Sequence, residues 1–432
     1  MRQIEDYEWL STPQAQQRWR DLCNEISVNS ASMLKRLRST LTTNQASVLI
    51  EQLDLIALAK RKVSDPQQWF WTRQLLEQSS DQETASDTAC DFPPQSRVID
   101  VCCGAGADSV ALANQRHSVT SIDRCPIACE LTKHNAMSHG LNIEVFNREA
   151  GNSLDVPRDY IHIDPDRRAD GSRSSSLDRL SPTWDTIAQL LKRCRGMSLK
   201  LAPGTRADLK GMARNKESIP ESLRFLSKDG SVRQQRWYWG LERWPTDSIT
   251  ASMFLNTSSS RRAMQFFAAK HTIPPNANTS TSPGWFHETF SLDDMATSED
   301  MAVTDKPLEF VADYDPSIRA AELSSSFAHR YGWQLIDSNS GYVTASKTLV
   351  HPMVRWFQVV DILPLDKRQI KSYVRESRVY AWELKSRGLE VDLTALRKIL
   401  PCDSNSDETR TILCLKIGRQ HRVVFCKEAD CS

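Results

Sequence analysis

No run of apolar residues in this 432-residue chain approaches the roughly 18 needed to cross a bilayer as a helix. The start, Met-Arg-Gln-Ile-Glu-Asp-Tyr-Glu, has no apolar stretch behind a basic end, so no secretory leader is expected. Net charge is missing as well: 55 basic residues face 54 acidic ones, so bulk electrostatics single out no partner. There are eleven cysteines, but at scattered spacings, and no four of them have the spacing of a structural zinc site. These absences predict a soluble cytoplasmic protein with reduced thiols and no metal. No internal repeat breaks the chain into copies of one unit.

The charge that is present is unevenly placed. Residues 272–318 carry nine acids against Lys306, a net of −8, and residues 347–427 carry sixteen Lys or Arg against nine acids, a net of +7. An acidic insert before a basic terminal module fits a phosphate-binding surface beside a solvated segment; two ordinary solvated faces fit as well. Up to about residue 80 the pattern is helical. Leu49, Ile50, Leu53, Ile56 and Ala57 recur at three- and four-residue steps behind the capping candidates Thr42 and Thr43. Trp69, Phe70 and Trp71 are expected to plug this layer onto its neighbour. From Arg97 to Gly204, apolar runs at Val98–Val101, Val119–Ile122, Ile143–Phe146, Tyr160–Ile163 and Met197–Leu201 alternate with amphipathic stretches at Ser109–Gln115, Ile127–His139 and Thr183–Arg193. That alternation predicts an α/β, Rossmann-like domain with a mostly parallel sheet. Trp237, Tyr238 and Trp239, with Ile249–Leu255 and Met264–Ala269, are assigned to a small α+β module. The stretch Asn276–Pro307 reads as a linker or insertion. In the last part strands are expected at Gly341–Ala345, Trp356–Ile362, Thr411–Ile417 and Arg422–Cys426, and helices at Ile318–Tyr331, Asp366–Arg375 and Leu393–Leu400. The expected domains are 1–80, 81–215, 216–307 and 308–432.

The chemistry concentrates in Arg97-Val-Ile-Asp-Val-Cys-Cys-Gly-Ala-Gly-Ala-Asp108, a strand that ends in an acid and runs through two glycines into a helix. Asp123 closes the next apolar run. Strand, glycine turn, helix, strand, acid is the order of a nucleotide pocket, where a ligand must approach bare backbone. A dinucleotide fingerprint needs a third glycine, and that position is Ser109, so the pattern points to S-adenosylmethionine. Its sulfonium, ribose diol and adenine edge call for backbone, carboxylates and carbonyls. Gly104 and Gly106, with Cys102 between them and the strand, give the backbone approach. Asp100 can hold the ammonium through water or backbone, and Asp123 can accept both ribose hydroxyls. Asp108 opens the helix and can face the pocket. Glu149, or the nearby Asn152, sits where an adenine-edge group belongs.

Asp164-Pro-Asp-Arg-Arg168 ends the fourth strand, at the edge that faces the methyl group. Asp164, Asp166 and Arg167 are the candidate catalytic set, since a rigidly placed acid can orient a nucleophile or take its proton. Arg168 is a candidate substrate clamp; ion pairing along the polar loop Ala169–Pro182 is the alternative for both arginines. Pro401-Cys402 lies outside this domain and is set aside as a nucleophile.

Residues 75–204 resemble a class I S-adenosylmethionine-dependent methyltransferase. The whole chain resembles a bacterial family with an N-terminal helical region, this catalytic domain, a ferredoxin-like module and a C-terminal THUMP-like domain. The residues that carry the likeness are Leu76-Glu-Gln-Ser-Ser-Asp-Gln-Glu-Thr-Ala85, Asp100-Val-Cys-Cys-Gly-Ala-Gly-Ala-Asp108, Asp164-Pro-Asp-Arg-Arg168 and Lys200-Leu-Ala-Pro-Gly204, then His351-Pro352, Arg355-Trp-Phe357 and Glu383-Leu-Lys-Ser-Arg-Gly388. The resemblance implies that Asp100, Gly104, Gly106 and Asp123 hold the cofactor and that the segment from Gln78 to Ala85 caps the site. Two departures stand out: Glu149 replaces the usual aspartate, and Asp166-Arg167 replaces the proline-aromatic pair of methyltransferases acting on adenine amines. The resemblance also implies RNA as the partner, tRNA or rRNA, with Lys385 and Arg387, joined by Lys371, Arg375 and Arg378, as phosphate contacts. Trp356, Tyr380 and Trp382 are expected in the core or as base-stacking rings. The rival readings are a small-molecule or protein methyltransferase and a non-catalytic protein that binds S-adenosylmethionine and RNA.

Overall fold

The structure is a computed structural model that describes residues 3–24, 35–151, 159–166, 176–205, 219–256, 284–296, 302–337 and 341–429. Arg167, Arg168, Asn152, the run 264–269 and residues 272–283 and 297–301 of the acidic stretch lie outside the described residues. The described residues form two compact units. The first takes 3–223 and 235–246, and the second takes 224–234, 247–256 and 284–429. The segment 216–307 is therefore shared between the units, where the sequence predicts one module of its own.

The first unit opens with helices α1 (Ile4–Glu8), α2 (Pro13–Asn24), α3 (Thr43–Ala59), α4 (Arg73–Gln78) and α5 (Gln82–Ala89). At the start of α3, the Thr42 hydroxyl accepts from the Gln45 amide at 3.3 Å and the Gln45 side chain accepts from the Thr42 amide at 3.1 Å. This reciprocal cap satisfies two otherwise orphaned donors and fixes the helix start. Trp69, Phe70 and Trp71 are buried, as expected. Trp69 stacks on Trp71 at 5.2 Å, Phe70 stacks on His134 at 4.2 Å, and Gln52 bonds both backbone groups of Trp71.

Strands β1 (Arg97–Val101), β2 (Ser118–Asp123), β3 (Glu144–Asn147), β4 (Tyr160–Ile163) and β5 (Gly196–Leu201) lie within a residue or two of the predicted runs. Helices α6 (Ala107–Asn114), α7 (Pro126–Ser138) and α8 (Trp184–Leu191) alternate with them. The strands run parallel in the order β3-β2-β1-β4-β5. The order reverses between β1 and β4, which opens a crevice at their carboxyl ends. β6 (Ser222–Lys228) and β7 (Ser231–Trp239) follow, and Gln235–Trp239 pairs antiparallel with β5, from Leu201↔Gln235 to Met197↔Trp239. Trp237, Tyr238 and Trp239 thus complete this sheet, since their rings bury against α8 and the helical layer.

In the second unit, β8 (Ser248–Phe254) pairs antiparallel with β9 (Trp285–Ser291). A seven-stranded sheet follows in the order β11-β12-β10-β13-β16-β15-β14. Its strands are β10 (Phe310–Tyr314), β11 (Gln334–Leu335), β12 (Val343–Ala345), β13 (Val354–Pro364), β14 (Ala381–Ser386), β15 (Thr409–Ile417) and β16 (Gln420–Glu428). Its helices are α9 (Pro316–Ala320), α10 (Ser324–Arg330), α11 (Lys367–Val374) and α12 (Leu393–Arg397). The single helix expected over 318–331 is two, because Glu322 takes φ +58° and breaks the ladder between them. Trp356 and Trp382 are core, and Tyr380 is exposed.

One buried ion cluster fixes the first unit. The Arg236 guanidinium on β7 donates to Asp87 at 2.8 Å, Asp91 at 2.9 Å and the Thr84 carbonyl at 2.9 Å. Tyr238 and Trp244 donate to the same Asp91 carboxylate at 3.0 Å each. The cluster ties α5 to the sheet. Arg236→Met would strand two buried carboxylates, and a loss of about 3–5 kcal/mol in urea unfolding is expected.

Candidate active site

The crevice forms where β1 passes into α6. The amides of Cys102 and Cys103 both donate to the Ile122 carbonyl, at 2.8 and 3.2 Å, which hooks the turn over β2. Gly104 and Gly106 take φ +57° and +85°. A Cβ on Gly106 would come within 2.9 Å of Thr132, so that glycine is required by the packing of α7 as well as by its backbone angle. At Gly104 a Cβ would meet only Leu75, at 3.7 Å, and the turn presents an open backbone cradle there. Thr132 donates to the Gly104 carbonyl at 2.9 Å, and the buried Asn135 donates to the carbonyls of Ala105 and Phe70 at 2.8 and 3.0 Å. α7 thus holds the turn from behind.

Asp123, half-buried at the tip of β2, accepts the Gly104 amide at 3.0 Å on one oxygen and the Cys125 amide at 2.8 Å on the other. Burial pushes its carboxyl above the ordinary range, against the pull of those two amides. The remaining lone pairs of both oxygens suit a diol. The Asp123 carbonyl accepts the Arg148 amide and the Asn147 side chain, both at 3.0 Å, which brings the end of β3 alongside. Glu149 follows there and is exposed.

Asp100 and Asp108 sit deeper than the sequence suggests. Asp100 is 1% exposed and accepts from Ser109, whose hydroxyl accepts in turn from Ser121 at 2.8 Å. It braces the turn from below. Burial pushes its carboxyl up to about 7, against the opposing pull of His162. Asp108 accepts from Ser80 at 2.7 Å and lies 3.8 Å from both Lys200 Nζ and His162 Nε2. Burial alone would raise its carboxyl; the two cationic neighbours hold it far below the usual range. Lys200 Nζ donates to Ser80 at 2.9 Å and to Asp164. Burial would lower the Lys200 ammonium, but Asp164 and Asp108 outweigh it and raise it. His162 is raised in the same way, Asp108 outweighing burial.

Asp164 therefore stands at the end of β4 with its carboxylate fixed by Lys200. Asp166 is bridged to Ser181 through both backbone groups at 2.9 Å, and its carboxylate lies 3.5 Å from Arg124. Cys102 adopts φ +64°, with its thiol 3.7 Å from the Ser181 carbonyl. Burial pushes that thiol upward. His162 and the charge of Lys200 escaped the sequence reading, whereas Ser80 lies in the Gln78 to Ala85 segment that the resemblance places over the site. A lysine between Leu199 and Leu201 and a histidine between Ile161 and Ile163 were the available signals, since a polar group in a fully buried strand needs a partner.

Lys385 and Arg387 correct the sequence reading. They face Asp313: Lys385 Nζ is 2.9 Å from its carboxylate, and Arg387 is ion-paired with the other oxygen. Their side chains are only 23% and 15% exposed. The curl of the seven-stranded sheet turns them inward, where a buried carboxylate competes for the charge that an outside phosphate would need.

Residues 95–155 match the family model described as RNA cap guanine-N2 methyltransferase, and residues 354–428 match the THUMP domain-like model. A Mycobacterium tuberculosis protein described as an S-adenosylmethionine-dependent methyltransferase is 24% identical over 343 residues, 77% of this chain and 81% of its own length. A Methanobrevibacter smithii cobalt-precorrin-6B C(15)-methyltransferase is 38% identical over 63 residues, 14% of this chain and 34% of its own. The crystal structure of a methyltransferase from Porphyromonas gingivalis superposes with a TM-score of 0.71 at 17% identity, covering 95% of this chain and 97% of that one. The chain is a class I S-adenosylmethionine-dependent methyltransferase with a C-terminal THUMP-like domain. In this methyltransferase the open cradle at Gly104 and the half-buried Asp123 fit the cofactor's backbone-approach and diol requirements.

Two outcomes are expected of site variants. Asp123→Ala should weaken S-adenosylmethionine affinity by about tenfold or more in calorimetry, because charge-assisted bonds to the diol are lost. Asp100 holds its proton to higher pH folded than unfolded, so its burial costs stability progressively as pH rises from the unfolded value towards 7. Asp100→Asn lacks that cost. Its urea midpoint should gain on the parent at pH 8 relative to pH 4.5, and a difference independent of pH would refute the assignment.

Proposed function

We propose that this methyltransferase acts on structured RNA, tRNA or rRNA, in the cytoplasm. The observation that carries the reading is an exposed basic row: Lys367, Arg368 and Lys371 on α11, then Arg375 and Arg378, with Tyr380 56% exposed after them. Cations at this density with an exposed ring suit a phosphate backbone and an unpaired base. The THUMP-like and RNA cap methyltransferase models support the same class of substrate. All ten described cysteines are free thiols, which supports a reducing compartment.

Bound S-adenosylmethionine supplies an electrophilic methyl group on its sulfonium. The chain's own residues then have to orient the acceptor. Asp164, held by Lys200, accepts a hydrogen bond from the incoming nucleophile and aligns it, while the Asp166–Ser181 bridge keeps the adjoining loop in place. Gly104 and Asp123 hold the nucleoside, with Asp100 and Asp108 fixing the turn beneath it, and Glu149 is the adenine-edge candidate.

Tritiated methyl transfer from the cofactor into total RNA from a deletion strain tests this reading. Nuclease-sensitive label is expected; label sensitive only to protease, or no label, would overturn it. Arg375→Ala with Arg378→Ala should lower RNA retention and reduce the slope of log K against log salt by about 1 per lost phosphate contact, with cofactor affinity intact.

A further inference from the structure

One row beneath the crevice, the parallel sheet carries a line of polar residues where apolar ones belong. Register places Ser121 of β2, Asp100 of β1, His162 of β4 and Ser198 of β5 side by side on one face. All four are buried, and α6 closes over them with Asp108 and Ser109. Two residues further on, Asp164 and Lys200 continue the same face to the carboxyl ends of the strands.

His162 is held in this row by charge alone. Neither of its ring nitrogens has a hydrogen-bond partner among the described residues, and nor does Asp108 Oδ1 or Ser198 Oγ. Its Nε2 lies 3.8 Å from Asp108 Oδ2, and Asp100 stands directly opposite on β1. Charged groups face it from every side: Asp108 on α6, Asp100 on β1, Asp164 after β4 and Lys200 on β5. On β7, Arg236 is taken by Asp87 and Asp91, with Arg243 4.0 and 3.8 Å from the same two. At the rim, Arg124 is 3.5 Å from Asp166, and Asp123 holds two amides. Among the described residues, three carboxylates thus meet one lysine and one histidine in the sealed layer, and two more acids meet one arginine above it. An enclosed anionic site retains protons. Asp100 and His162 are the members that keep them: burial pushes Asp100 up to about 7, and burial would lower His162, but Asp108 outweighs it.

Held by the Gly104 turn and Asp123, with its methyl group towards Asp164, the cofactor brings a sulfonium to the ends of β1 and β4. A cation arriving there weakens the hold on the protons beneath it. The demethylated product, S-adenosylhomocysteine, has the same nucleoside and amino-acid groups but an uncharged sulfur. We propose that Asp100 and His162 act together as a charge sensor that gives up a proton to cationic S-adenosylmethionine, keeps it with the product, and so makes the choice between the two depend on pH. This rests on the cofactor assignment and not on the identity of the methyl acceptor.

The full chain is titrated calorimetrically with each ligand in buffers of different ionisation enthalpy, which counts the protons released. At pH 6.5 the α-amino group of either ligand, which titrates at about pH 8, stays charged, so the difference between the ligands reports the sulfonium. A half-protonated group whose proton affinity falls tenfold loses about 0.4 proton, and S-adenosylmethionine should release about that much more than its product. Release favours binding as pH rises, so between pH 6 and 7 its affinity should gain about 2.5-fold on that of the product. Asp100→Asn with His162→Gln leaves neither titrating member, and the difference should fall below about 0.1 proton. Asp100→Asn alone should move the release to lower pH, because His162 loses an anionic neighbour. Far-UV circular dichroism checks folding, and if the double variant does not fold, the single one decides. Equal release with both ligands by the parent, or an unchanged pH profile in a folded variant, overturns the sensor. Saturable heat with both ligands keeps the cofactor assignment even then; no heat with either removes both.

Discussion

A lysine ammonium out of reach of water has to find carboxylates, and in the first unit Lys200 finds Asp164 and Asp108, with Ser80 between. Removing such a group from water costs several kcal/mol unless its partners are well placed. The requirement reaches four parts of the chain at once. β5 must deliver the ammonium, β4 must end in Asp164, α6 must begin with Asp108, and the segment before α5 must present Ser80. The crevice at the end of β1 and β4 is thereby built around one charge. Arg236 repeats the device on the other side of β5, pinning α5 to β7 through Asp87 and Asp91.

The glycine turn gains its rigidity from its surroundings. Thr132 and Asn135 hold its carbonyls, Ile122 and Asp123 take its amides, and the Asp100–Ser109–Ser121 chain supports it underneath. A nucleoside meeting such a turn pays little ordering cost, because the donors and acceptors are already aimed. In the second unit charge does different work. Ion pairs between β14 and β10 or β13 bridge strands that the sheet order separates, and they hold its curl. Positive charge in this module therefore divides between an inward cluster at Asp313 and an outward row on and after α11.

Much of this could be read from the sequence, and for definite reasons. The five strands of the parallel sheet announce themselves because both faces are buried and their runs are apolar and β-branched. The α3 cap is visible because Thr42 and Gln45 are local partners. The Asp100 to Asp123 order carries the site because strand, turn and helix are contiguous. What stayed hidden depends on distant partners. β10 lies in an acidic stretch where no strand was expected, yet Asp313 and Tyr314 are buried, on a strand paired with β12 and β13. Glu383 and Lys385 in β14, and Arg387 just after it, alternate as a solvated edge would, and only the curl of the sheet explains them.

The sequence by itself determined the element order, the parallel sheet, the turn that takes a nucleoside and the presence of a basic terminal module, because each is written in neighbouring residues or in a period of two or about four. The tertiary structure alone decided which acids stay near the surface and which become braces, that Lys200 and His162 join the site, and that Lys385 and Arg387 face inward. A charge is placed by the electrostatic cost of burying it, and that cost depends on distant partners, 120 residues apart for Lys200 and Ser80 and 152 for Arg236 and Thr84.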